Sequence, residues 1–250
     1  MRFPDYHDNS SLPEKPTAID QDTIRITIGL LGISLPFLLL AGLYVYGEQL
    51  RPLSSISHYY YTRASPAFTI TLGALAIVLL AYKGKRLVDF WLSAVAGIGA
   101  LMVVLFPTNM GLKGEVSPPY YITTIVDNDF RNAFHFAAAG TFLCCLAAMS
   151  YFRFPEDDSS NEHPNQFYRV AYRTCGVVMV SAMVIIVLGV EGVLIDQKWF
   201  AAHSGIFWGE AVAVWAFGYS WLLKASFFSK VRSGIETAMK NDGPKSSHTD

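Results

Sequence analysis

Charge is scarce in this chain. Asp, Glu, Lys and Arg make up 16% of its 250 residues, where soluble domains run near about 25%. The scarcity is uneven: long apolar blocks hold almost none of the charge, and the charged residues gather between them. With 52% of residues hydrophobic, that pattern excludes an ordinary soluble globule and a disordered chain. A net charge of −1 without a basic stripe gives no footprint for a nucleic-acid partner. Cysteine is scarce too. Cys144, Cys145 and Cys175 all lie inside apolar blocks, so they read as small packing residues and not as a disulfide framework. The first 22 residues lack a basic start and a short apolar core; Asp5, Asp8, Glu14, Asp20 and Asp22 make them acidic, unlike a secretory signal. No GxSxG elbow, HExxH pair or phosphate-cradling glycine loop is present.

What is abundant is continuous apolar sequence. Six blocks stand out, at 24–46, 66–82, 88–106, 132–152, 170–190 and 201–223. None alternates apolar with polar residues as barrel strands do, so each is expected to be a membrane helix. The expected fold is all-α, a polytopic six-transmembrane-helix bundle over residues 24–225. A polar segment (1–23) precedes it and a polar tail (226–250) follows. The second block is the shortest and should stand upright. Arg2, Lys15, Arg25, Lys83, Lys85, Arg86, Arg153, Arg169, Arg173 and the five basic residues after Leu223 then fall on one side. Arg51, Arg63, Lys113, Arg131 and Lys198 fall on the other. The majority side is expected to be cytoplasmic and to hold both termini, with the chain in the inner membrane. KGKR is a short hairpin connection, whereas the loop from Pro107 to Arg131 exceeds the usual connector length and suggests function.

This orientation sends His58, His135 and His203 to the outer half. Three segments attract attention there. In LSSISHYYYTRASP, Ser55, Ser57 and His58 offer hydrogen bonds to a lipid headgroup; the plain alternative is an aromatic anchor made by Tyr59, Tyr60 and Tyr61. In DNDFRNAFHF, Asp127 and Asp129 precede the fourth block and His135 opens it; acids at a helix N-terminus also simply suit the helix dipole. In HSGIFWGEAV, His203 opens the last block and Glu210 follows seven residues later. On one continuous helix those two would share a face, with Glu210 about 10 Å deeper. A carboxyl at that depth must face protein or a wet cavity, as a functional group or as a structural acid bonded to a neighbouring helix. His58, His135 and His203 with a carboxylate are ligand types that zinc accepts, although their spacing forms no metal motif.

Ile56-Ser57 lies in the first outer loop, Phe106-Pro107 after the third block, His135 before Ala137, Ala138 and Ala139, and FGYSWLLK at the end of the last block. The order of these features resembles the Frag/DRAM/Sfk superfamily of six-span membrane proteins and a related bacterial family of unknown function. The resemblance covers about residues 24–225 and implies a link to lipids. Ser54 and His58 also have the Ser-xxx-His spacing of ceramidase-type transmembrane hydrolases. Thr69 and Phe207 stand where that superfamily requires Asp and His.

The expected function is therefore an integral membrane protein whose outer polar site binds a lipid headgroup. Ser55, Ser57, His58, Asp127, Asp129, His135, His203 and Glu210 are the candidate contacts. A metal-dependent lipid hydrolase using His58, His135, His203 and Glu210 is one alternative. A proton-coupled transporter working through Glu210 is the other.

Overall fold

The computed structural model describes residues 21–46, 51–111, 119–159, 166–193, 195–227 and 231. Most of the N-terminal segment, most of the polar tail and the middle of the Pro107–Arg131 loop lie outside the described residues. The described chain is helical, and one isolated antiparallel bridge pairs Thr62 with Tyr121.

Six long helices form the body: α1 (Gln21–Val45), α2 (Ser65–Ala81), α3 (Leu87–Leu105), α4 (Asp129–Ala148), α6 (Gln166–Glu191) and α8 (Gly205–Lys224). Two short ones, α5 (Phe154–Ser159) and α7 (Gln197–Ala202), lie between them. Neighbours in the chain are neighbours in space. α1 packs on α2, α2 on α3, α3 on α4, α4 on α6 and α6 on α8, and α8 returns to α1 to close the ring. Five of these stretches are long and apolar enough to cross a membrane, with α4 continuing to Asp157. α2 has 17 residues and falls short of them, although it is the second most apolar helix by composition. Apolar side chains line the outside as well as the core: Ile70, Ile77 and Val187 are 70%, 67% and 59% exposed. Helices apolar on every face need a non-aqueous surround.

Local chemistry sets the helix ends. Asn128 Oδ1 accepts the Arg131 N–H at 2.9 Å to open α4, and Asp196 Oδ1 accepts the Trp199 N–H at 2.8 Å to open α7. Asp89 reaches back to the Arg86 N–H at 3.0 Å to cap α3. Pro36 interrupts the backbone ladder of α1, and the Ile33 carbonyl beside it accepts the Trp215 indole N–H at 3.2 Å. α1 and α8 touch backbone to backbone where Gly29 faces Gly218; a Cβ on Gly218 would sit 2.7 Å from the Gly29 oxygen.

Two boundaries depart from the apolar blocks. The fourth helix does not end near residue 152. It widens into a π-helical turn over Met149–Arg153 and runs on into α5. Ser150 lies 2.8 Å from Ser220 of α8 there, so a cross-helix hydroxyl pair accompanies the widened turn. The last block is not one helix either. α7 ends at Ala202, and Ser204, at φ +52°, turns the chain through the left-handed region before α8 begins. His203 and Glu210 therefore do not share a helix face.

The two ends of the bundle differ in chemistry. One end, here the histidine end, carries His58, His135 and His203. The other, the ion-pair end, carries a buried Arg153 Nε–Asp89 Oδ1 bridge of 2.6 Å. Glu156 joins it through Arg153 and, at 2.9 Å, through Arg86. A second buried pair, Lys224 Nζ with Asp157 Oδ2 at 3.3 Å, ties α8 to α5.

Candidate functional site

Residues 51–64, ahead of α2, turn inward and plug the histidine end. Leu53, Ile56, Tyr59 and Tyr61 are buried, the last two completely. Three consecutive residues of this plug reach three partners. Ser55 caps a short 3-10 turn, Ile56–Tyr61. Its hydroxyl accepts the His58 N–H at 3.3 Å and lies 2.6 Å from His58 Nδ1. An acceptor role toward the amide leaves the hydroxyl proton for Nδ1, so the His58 ring proton sits on Nε2. Burial first, and then the nearby His135, push the His58 pKa down to about 4, with Asp127 opposing. The ring is neutral at pH 7, as an accepting Nδ1 requires.

Ile56 donates its N–H to Glu210 Oε2 at 2.6 Å. Ser57 turns to His135, with Oγ 3.0 Å from Nε2. His135 Nδ1 lies 2.8 Å from the Phe106 carbonyl, which can only accept, so Nδ1 carries a proton. In the neutral ring Nε2 then accepts the Ser57 hydroxyl proton. Serine, imidazole and a carbonyl that orients the imidazole thus stand in line, with Ser57 7% and His135 2% exposed. Two more bonds fasten the plug to the start of α8: the Phe207 N–H donates to the Ser54 carbonyl at 3.0 Å, and the Ser204 hydroxyl donates to the Pro52 carbonyl at 2.8 Å.

The expected site residues therefore fall into two groups. Ser55, Ser57, His58, His135 and Glu210 are joined by the plug. His203, Asp127 and Asp129 are not in that set of bonds. His203 is exposed, stacks on Trp199 at 4.2 Å between ring centroids, and donates from Nδ1 to the Trp199 carbonyl at 2.8 Å. Asp127 accepts the Met110 N–H at 2.9 Å, and Asp129 lies exposed in the first turn of α4. Among the described residues no three His, Cys, Asp or Glu side chains converge where a metal ion could be held.

His203 marks a different feature. An apolar groove of about 640 Å³ runs between α6 and α8 and reaches up to α7. Ile185, Trp199, Phe200, Trp208 and Val212 line it, with His203 at its α7 end and Ser181 on the α6 wall.

Sequence reasoning missed the scaffold around the histidines. Asn132 Oδ1 accepts from the Thr108 hydroxyl at 2.8 Å and from the Asn109 N–H at 2.9 Å. Arg131 donates to the Pro107 carbonyl and to Asn109 Oδ1 at 2.9 and 3.1 Å. The Tyr61 hydroxyl donates to the Thr108 carbonyl. The available signal was the polar run TNM after Phe106-Pro107, facing DNDFRN across one loop. No family model, curated protein or solved structure matches the chain.

Proposed function

We propose that this chain is a six-span inner-membrane protein that binds a lipid at its histidine end. On this reading α2 is the sixth span and stands nearly upright, because 17 residues at 1.5 Å each reach about 25 Å. The ion-pair end and both termini face the cytoplasm by the distribution of Lys and Arg. A lipid tail lies in the groove between α6 and α8, and its headgroup meets His203, Trp199 and the polar surface of the plug. The likeness to the Frag/DRAM/Sfk superfamily points the same way.

One observation carries the reading: a 640 Å³ apolar slot ending at an exposed, oriented imidazole. That volume lies within the ~300–1,000 Å³ range of small-molecule sites. Apolar walls with a polar mouth suit a molecule that is itself apolar with a polar end. A phospholipid carrying a photoactivatable acyl chain tests this. Crosslinks are expected within 178–185 and 199–212, and Ser181→Trp, which fills the slot from α6, is expected to suppress them. Labelling spread evenly over all lipid-facing helices, unchanged in Ser181→Trp, defeats the proposal.

A hydrolase is the second reading, favoured by the Ser57–His135–Phe106 alignment. Here Ser57 is the nucleophile and His135 its base. A serine-directed fluorophosphonate probe is expected to label wild type and not Ser57→Ala. An unlabelled wild type leaves the alignment as a structural tie between plug and α4.

A further inference from the structure

The ion-pair end holds a second pocket, small and polar, that the lipid groove does not touch. Its volume is about 240 Å³, and it lies where α1, α5, α6, α8 and the α2–α3 connection meet. It is below the ~300–1,000 Å³ of drug-sized sites, which suits a polar headgroup and excludes a whole lipid tail.

Three cations line it: Arg25 from α1, Lys85 from the connection and Lys224 from α8. Two carboxylates line it too, and both are engaged. Asp22 bridges Arg25 at 3.0 Å, and Asp157 bridges Lys224 at 3.3 Å. Lys224 also donates to the Phe154 carbonyl at 3.3 Å, which holds the amine in place although its side chain is only 9% exposed. Among the described residues cations thus outnumber anions, and no carboxylate lies within ion-pair distance of the exposed Lys85. Donor groups are in excess as well. Arg25 uses its two terminal nitrogens on Asp22 and Gln21 and lies against Tyr82, while its Nε is buried with no hydrogen-bond partner among the described residues. Tyr168 and Tyr172 of α6 complete the wall.

A buried ion pair alone is a poor source of stability, because desolvation offsets the attraction. One buried pair and one half-buried pair, beside a third cation with no carboxylate partner among the described residues, form an anion receptor more readily than a clamp. We propose that this pocket binds a phosphate group. The cations approach from three separate elements; a phosphate has oxygens enough to meet all three, whereas a carboxylate has two. A phospholipid headgroup in the adjoining leaflet and a free phosphate share that chemistry. The proposal stands apart from the groove at the histidine end.

Isothermal titration of the full chain in detergent, with inorganic phosphate and with soluble dihexanoyl phosphatidate as probes, tests it. Lys85→Glu reverses the exposed, uncompensated charge without entering the core, and thermal melting checks that it folds. Lys83→Glu changes net charge equally, but Lys83 does not line the pocket. Saturable binding, weakened about tenfold by Lys85→Glu and hardly by Lys83→Glu, is the expected result. Binding of phosphatidate alone identifies a lipid headgroup; binding of both probes identifies a site for phosphate itself. The proposal is overturned if neither probe binds saturably. It is overturned equally if the two variants weaken binding alike, which marks diffuse attraction, or if Lys85→Glu leaves it unchanged.

Discussion

At the histidine end, four segments meet through hydrogen bonds between Ser55, Ser57, His58, His135, Glu210 and backbone groups. At the ion-pair end, Asp89, Arg153, Glu156, Asp157 and Lys224 join the helices through charge. The difference matters because the two chemistries fail differently. Removing one member of a buried ion pair leaves the other as an unpaired charge in an apolar setting. Removing one hydrogen-bonding side chain strands a single amide or hydroxyl. The ion-pair end is therefore the brittle one, and the histidine end tolerates change better and suits a site that exchanges partners.

Arg153→Met probes the brittle end and should have the largest effect. It strands the Asp89 carboxylate, whose side chain is 4% exposed, and should destabilise the fold by about 3–5 kcal/mol in a reversible unfolding assay. Asp89→Leu combined with Arg153→Met should recover much of that loss. A double variant as unstable as the single one would show that packing, not charge, dominates there.

Acid probes the histidine end. His58 titrates near 6.5 when unfolded and near 4 when folded. The unfolded chain thus binds the extra proton between those values, and folding stability falls as pH falls through that window. The contribution is intact above about pH 6.5 and costs about 2 kcal/mol at about pH 5. Melting wild type against His58→Gln across this range isolates it; parallel pH curves would break the assignment.

Glu210 should matter by one hydrogen bond. Glu210→Leu strands the Ile56 N–H and should cost about 1–2 kcal/mol, whereas Glu210→Gln keeps an acceptor and should cost less than about 1 kcal/mol. Equal losses for Leu and Gln would mean that the charge on the carboxylate, not its acceptor oxygen, holds the plug. His203→Ala sharpens the comparison from the other side. The exposed ring makes one local bond, so melting should shift by no more than about 0.5 kcal/mol while lipid crosslinking in the groove falls.

Much of this architecture was legible in the residues. Uninterrupted apolar stretches leave few alternatives to helices that satisfy their own backbone, so α1, α2, α3 and α6 begin and end within a few residues of the apolar blocks. The closeness of the plug to His135 and Glu210 was legible only as a shared side of the bundle. Side selection is a one-dimensional property, read from where charges interrupt apolar runs. Which groups touch depends on how α4 and α8 rotate about their axes and where residues 51–64 fold inward.

Three features belong to the tertiary structure alone. The break at Ser204 removes His203 from the face of Glu210, because a single left-handed residue redirects the chain and an apolar run gives no sign of it. The π-turn over Met149–Arg153 accompanies an arginine from the end of an apolar block packed onto Asp89 of another helix. The polar pocket at the ion-pair end draws on five elements, four contributing charges and α6 two tyrosines, all of which look like ordinary interfacial residues when read alone. Helix content and sidedness follow from composition along the chain, because burial of apolar surface and satisfaction of the backbone are local demands. Partners, breaks and pockets follow from packing between segments far apart in sequence, where only the assembled bundle decides which groups come within hydrogen-bonding distance.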